Sequence, residues 1–329
     1  MKRKLIKIII CLLVILLILP GCNNKSSDKI DSNTTDVGEV KSTIHIGAIM
    51  KTMSNPYYIS IEEGMQAVSD KYGYKLSVQA PELESDTETQ LKLMENYITQ
   101  EVDCIILTPN GSTELVPGVK KANDANIPVI IIDSRLYEDA LEKADAHIEC
   151  FIGSDNYFGG SLAAESMSEL LNGEGKIAVI EGVAGQEVSV ERVGGFVDKA
   201  KELGLDVVSS QPADWDQGKG YTVAQNIIQA NPDINGLFAA SDLMALGAVK
   251  ALEDAGIAEQ VTVIGFDAND DAKQAIRDNR MDGSIAQDPV EMGKRSVEAF
   301  KTLLEGGEVD AEIPIDVQLV DKSFLEKEN

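Results

Sequence analysis

Histidine, tryptophan and cysteine are nearly missing from this 329-residue chain, which has 2, 1 and 4 of them. With His45 and His147 alone, a histidine-built metal centre or a Ser-His-Asp relay has almost no material to draw on, and His45 falls in an apolar run where a core or edge histidine is the default. Cys11 and Cys22 lie in the first 22 residues, leaving Cys104 and Cys150 in the body. Two cysteines at that separation make neither a disulfide framework nor a metal cluster, and both read as small core residues. Positive charge is scarce too. Lysine and arginine total 29 against 55 acids, a formal charge of -26, and such a surface repels phosphate backbones, which argues against nucleic acid as a partner. No G-x-G-x-x-G follows an apolar run, no G-x-S-x-G occurs, and Gly218-Lys-Gly-Tyr lacks the spacing of a phosphate loop. The run Asp267-Ala-Asn-Asp-Asp271 has oxygen ligands at alternate positions, but Ala272 stands where a calcium loop requires glycine. The expectation is a chain that is not an enzyme and that holds neither cofactor nor metal.

Long hydrophobic runs are limited to one, residues 8–19, preceded by Lys2, Arg3, Lys4 and Lys7 and followed by Pro20, Gly21 and Cys22. It falls short of the roughly 20 apolar residues a membrane-spanning helix needs, so residues 1–21 read as an export signal. Gly21 directly before Cys22, with Leu19 three places upstream, resembles the lipobox of bacterial lipoproteins. That resemblance implies cleavage before Cys22, a lipid on its sulfur and a chain held at the membrane by that anchor alone. The lysine- and isoleucine-rich signal points to the outer face of the cytoplasmic membrane of a Gram-positive-type cell. Residues 22–42 are mostly polar, with almost nothing to bury, and read as a disordered tether behind Cys22.

From Thr43 onward, short apolar runs alternate with stretches of helical periodicity, the pattern of an α/β fold with a parallel sheet and helices on both faces. The first set places strands at 44–50, 75–79, 104–107 and 129–132, with helices at 58–72, 87–100 and 113–125 between them. The rhythm then restarts, with strands near 151–152 and at 176–180, 207–209, 236–239, 261–264 and 283–286. Helices are expected at 156–171, 190–203, 219–230, 243–255, 271–278 and 289–304. That is too many strands for one open sheet of ordinary size, so two similar lobes are expected. Ligands of open α/β sheets bind beyond the carboxyl ends of the strands. The residues there are Lys51, Asn55, Tyr57, Tyr58, Thr108 and Asp133 in the first half, and Arg192, Trp215, Ser241, Asp267 and Gln287 in the second. Aromatic faces beside carboxylates, an arginine and amides suit a polar small molecule. A sugar offers C–H faces that stack on rings and hydroxyls that pair well with charged groups.

The segments Lys51-Thr-Met-Ser-Asn-Pro-Tyr-Tyr58, Ile127-Pro-Val-Ile-Ile-Ile-Asp133, Ser210-Gln-Pro-Ala-Asp-Trp-Asp216, Ser241-Asp-Leu-Met-Ala-Leu-Gly-Ala248, Val263-Ile-Gly-Phe-Asp267 and Ile285-Ala-Gln287 together resemble the ribose- and allose-binding periplasmic proteins. These are type I substrate-binding proteins of ABC importers, and the similarity extends from Thr43 to about Val320. It implies two Rossmann-like lobes joined by three crossings, near Gly153, Ala286 and Pro314. One lobe would take residues 43–153 and 287–314, the other 154–286 and 315–329. A monosaccharide or cyclic polyol would lie between them, with Tyr57 or Tyr58 and Trp215 on opposite ring faces. The implied partners are an ABC permease with its ATPase, or alternatively a chemoreceptor or sensor kinase, and the implied state is a monomer. Thr108, Ser134 and Ser241 stand where ribose binders have asparagine, arginine and asparagine, while Lys51 and Trp215 follow the allose-type pattern. The resemblance therefore implies a pyranose hexose or a polyol as readily as ribose.

Overall fold

The computed structural model describes residues 43–327, so the expected signal, Cys22 and the tether lie outside the described residues. The first run of elements is β1 (His45–Ile49), α1 (Pro56–Tyr72), β2 (Lys75–Gln79), α2 (Thr87–Thr99), β3 (Cys104–Leu107), α3 (Val116–Asp124), β4 (Val129–Ile132), α4 (Glu138–Ala144) and β5 (Cys150–Ser154). The second is α5 (Asn156–Leu170), β6 (Lys176–Glu181), α6 (Glu187–Glu202), β7 (Asp206–Pro212), α7 (Gln217–Ala230), β8 (Gly236–Ala239), α8 (Asp242–Ala255), β9 (Thr262–Asp267), α9 (Asp270–Arg277) and β10 (Gly283–Ala286). The chain ends with α10 (Pro289–Leu304), β11 (Glu312–Ile315), β12 (Gln318–Asp321) and α11 (Lys322–Lys327).

Two six-stranded sheets result, ordered β11-β5-β4-β3-β1-β2 and β12-β10-β9-β8-β6-β7. The second order repeats the first strand for strand, so the sequence's double rhythm is one winding used twice. All neighbours in the first sheet are parallel, as are those in the second except β12, which runs antiparallel to β10. Strands β3 and β4 are unbroken apolar runs buried along their length, as parallel strands covered by helices on both faces must be. The buried side chains form four clusters, two on each sheet. Cys104 and Cys150 are free thiols within this core. Among the described residues, no helix is long and apolar enough to cross a membrane.

The chain passes between the sheets three times: after β5, after β10 and between β11 and β12. Helix α5 packs on α6 and on the second sheet, whereas α10 returns to pack on α1 and the first. Four elements have no counterpart in the sequence expectation. Helix α4 buries none of its residues, so it shows no apolar period to read. Strands β11 and β12 are short edge strands, and Pro314 inside β11 argues against a strand except at just such an edge. Helix α11 is a single six-residue segment with only Leu325 buried.

Helix starts follow their caps. Asn55 caps α1 by accepting from the Tyr57 amide, with Pro56 in the first turn, and Gly73 closes the helix at φ 70°. Helix α6, which carries Arg192, is held against α5 by two glycines. A Cβ on Gly195 would stand 2.0 Å from the Tyr157 carbonyl oxygen, and one on Gly160 would stand 2.1 Å from that of Arg192. The backbones themselves are in contact, so no side chain can retreat. Gly195→Ala is expected to lower unfolding stability by about 1–3 kcal/mol, read as a lower urea midpoint at unchanged slope.

Candidate functional site

At the carboxyl ends of both sheets the structure encloses a narrow cavity lined by Lys51, Asn55, Tyr57, Tyr58, Glu84, Asp133, Val188, Arg192, Trp215, Ser241 and Asp267. The cavity volume is only about 20 Å³, so the lining groups of the two lobes lie close together. Nine of the eleven residues singled out from the sequence meet here, five from loops and helix starts on the first sheet and four from the second.

Lys51, 2% exposed, follows β1 and pairs with Asp133 after β4, Nζ to Oδ2 2.9 Å, while also donating to the Ser134 hydroxyl. The Ser134 hydroxyl donates in turn to Asp133. Burial pushes Asp133 up, but Lys51, Arg192 and Ser134 outweigh it and hold the carboxyl below its ordinary range. In the second lobe Arg192 donates to Asn156 at 2.9 Å and to the Ala240 carbonyl at 2.8 Å, lies 3.4 Å from Asp267, and stacks over Phe266 at 3.7 Å. Burial dominates at Asp267 and lifts it to about 6 despite Arg192 and an amide donated by Gln287. Behind it, Asp242 accepts from Ser284 and from the Asn269 amide, and burial together with Asp267 raises its pKa well above the ordinary range.

The aromatic walls come from both lobes. Tyr57 and Tyr58 sit edge to face, centroids 5.3 Å apart, and the Trp215 indole lies across from the first-sheet loops against Gly182, where a Cβ would fall 1.9 Å from the ring. Trp215 takes φ 61° directly after Asp214 at φ 51°, and Asp133 and Asp267 have φ 68° and 109°. Non-glycine residues in this region store strain, and three of them, Asp133, Trp215 and Asp267, line the cavity.

Two of the sequence-picked residues do not line the cavity. Thr108 is buried behind β1, its hydroxyl donating to the Ile49 carbonyl and its own carbonyl held by Gln90, so it serves the framework. Gln287 reaches the site only through Asp267. Arg135, next to Ser134, turns outward over the Phe151 ring at 3.8 Å and forks onto Glu312.

Sequence reasoning missed Glu84, Val188 and Gln186. Glu84 follows the end of β2, which the strand-end rule covers, but it sits in an acidic loop with nothing to mark it. Gln186, before α6, accepts from the Trp215 indole at 2.7 Å and donates to the main-chain carbonyls of Glu84 at 3.2 Å and Asn110 at 2.5 Å. One amide thus ties the second lobe's tryptophan to the first lobe's backbone. The Glu187 amide donates to Ser112, and the Tyr137 hydroxyl to the Gly185 carbonyl, beside it.

With this geometry established, comparison with known proteins gives a clear result. Residues 46–308 match the model of the periplasmic binding protein domain. The chain belongs to that family. It is 34% identical over 277 residues to the ribose import binding protein RbsB of Salmonella typhimurium, covering 84% of this chain and 90% of that one. Among solved structures it is similar to a periplasmic solute-binding protein of an ABC transporter from Actinobacillus succinogenes with bound D-allose. There the TM-score is 0.83 at 36% identity, with 87% of this chain and all of that one covered. It is also similar to a solute-binding protein from Agrobacterium vitis with bound D-fucose, with TM-score 0.81, 34% identity, and 86% and 97% covered. The fold is that of type I periplasmic binding proteins, two α/β sheets with helices on both faces, as the sequence pattern and resemblance imply.

The acids of this periplasmic binding protein's cavity set a pH dependence. Burial lifts Glu84 to about 7 and Asp267 to about 6, so the folded chain holds their protons more tightly than the unfolded chain does. Their stabilising share is full below the ordinary carboxylate range and is lost as pH rises through 6 and 7. Asp133 runs the other way, its share being lost only in acid. The thermal midpoint of the ligand-free protein is expected to fall between pH 5 and 8, and Glu84→Gln to flatten the upper part of that fall; a midpoint that rises across the window would contradict the assignment.

Proposed function

We propose that this protein captures a monosaccharide or cyclic polyol between its lobes outside the cytoplasm and delivers it to the permease of an ABC importer, without chemical change to the ligand. The observation that carries this reading is the composition of the cavity: aromatic rings from both lobes beside Lys51, Asn55, Asp133, Arg192 and Asp267. Rings take the C–H faces of a sugar, and charged groups make the stronger hydrogen bonds to its hydroxyls. The family members described above, a ribose import binding protein and structures holding D-allose and D-fucose, support the ligand class. A ligand touching both lobes only in the closed state shifts the population toward closure by that difference in affinity, and the closed form is what docks. Ser134 stands where the ribose-type pattern has an arginine, and Lys51, which pairs with Asp133 and donates to Ser134, follows the allose-type pattern, so a hexose or polyol suits the cavity at least as well as ribose.

In a thermal-shift screen of pentoses, hexoses and inositols, at least one is expected to raise the midpoint, as a native-state ligand must. For that ligand, Trp215→Ala should weaken binding by about tenfold or more, and Asp267→Ala by about 10- to 100-fold, both measured by calorimetry. A shift with amino acids and with no sugar would overturn the ligand class while leaving the fold untouched.

Anchoring through a lipid on Cys22 belongs to the same proposal and rests on the sequence around that residue. Cells fed an alkyne-tagged fatty acid should label the native chain and leave Cys22→Ser unlabelled, whereas equal labelling of the two would remove the anchor from the account.

A further inference from the structure

Three carboxyl groups line the cavity, Glu84, Asp133 and Asp267, against two cations, Lys51 and Arg192. Both cations are engaged. Lys51 is paired with Asp133 and Ser134, and Arg192 is spread over Asn156, the Ala240 carbonyl and Asp267. Among the described residues, the Glu84 carboxyl has neutral donors only. Its Oε1 accepts from Asn55 at 3.1 Å and its Oε2 from the Tyr58 hydroxyl at 3.3 Å, while its main-chain carbonyl is held by Gln186. The loop that carries it is thus fixed from both lobes, and the carboxyl borders the cavity. A buried carboxylate without a cation is costly to ionise. Burial accordingly raises Glu84 to about 7, with Lys51 and the Asn55 amide pulling it down and Asp133 and Asp267 pushing it up.

We propose that Glu84 forms a subsite for a positively charged substituent of the ligand, so that the preferred cargo is an amino sugar or an amino cyclitol. This rests on the sugar-binding reading above and narrows it: the rings and remaining polar groups grip the carbohydrate frame, and Glu84 selects the ammonium. A ligand hydroxyl in that place would leave the closed cavity with one negative charge in excess, or oblige Glu84 to keep its proton. An ammonium balances three acids with three cations and supplies the strong donor that Asn55 and Tyr58 do not. Its arrival drives the proton off Glu84, so binding releases a proton to the buffer near neutrality.

The test is calorimetry on the purified full chain with matched pairs: D-glucose against its 2-amino and 3-amino derivatives, D-galactose and D-allose likewise, and scyllo-inositol against its monoamine. Each titration is run near pH 6.5 in two buffers of different ionisation enthalpy. At least one amine is expected to bind about tenfold or more tighter than its hydroxyl partner, with a buffer-dependent heat that reports proton release. Glu84→Gln should abolish both the preference and the released proton; should that variant fail to fold, the proton released by the unaltered protein still decides the matter. Neutral sugars that bind as tightly as their amines with no proton released, or a Glu84→Gln protein that keeps the full preference, would overturn the subsite and leave the sugar clamp standing. If neither amines nor neutral sugars bind, the clamp reading fails and the subsite with it.

Discussion

Buried charge is the constraint around which this molecule is organised. Lys51–Asp133 and Arg192–Asp267 are ion pairs with almost no solvent access, one at the carboxyl ends of each sheet. An ion removed from water must find its counterion and its hydrogen bonds within the protein. The first pair is bound up with Ser134 and the second with Asn156, the Ala240 carbonyl and Gln287. Burial on this scale exists only while the two sheets face each other, so the closed cleft and the charge arrangement depend on one another. On the proposed function, a ligand that satisfies these groups in the closed cleft would favour closure by that difference in affinity.

The backbone shares in that cost. Asp133, Trp215 and Asp267 all lie at positive φ without being glycine, and Gly182 must be glycine for the Trp215 indole to lie where it does. Strain of this kind persists where surrounding contacts over-determine it. Here Gln186 accepts from the indole within its own lobe and donates to the main chain of the opposite lobe, so one amide links the tryptophan wall across the cleft.

Much of the fold was legible because its core strands obey local rules. The runs at β3, β4 and β8 are apolar and lie at the residues the pattern indicated. The edge strands β11 and β12 and helix α4 were not legible, since an element that buries little leaves no periodic trace. The site divides in the same way. Residues directly after strands, such as Lys51, Asp133, Ser241 and Asp267, could be picked out by position, because parallel sheets present their ligands there. Thr108 satisfies the same rule yet faces the core, since its hydroxyl has a carbonyl within reach on β1. Glu84 and Gln186 carry no mark in sequence, one being an acid among many and the other a lone amide before a helix.

The sequence by itself determined the α/β winding, its repetition in two lobes and the chemical character of the cleft, because hydrophobic period and residue type are local properties. Only the tertiary structure decided which of those groups face one another. Charge balance in the cavity and the bridge made by Gln186 join residues from opposite sheets, and the Glu84 carboxyl meets Asn55 and Tyr58 from a distant loop and helix start. Electrostatic and hydrogen-bond energies fall off over a few ångströms of space, a distance that separation along the chain does not encode.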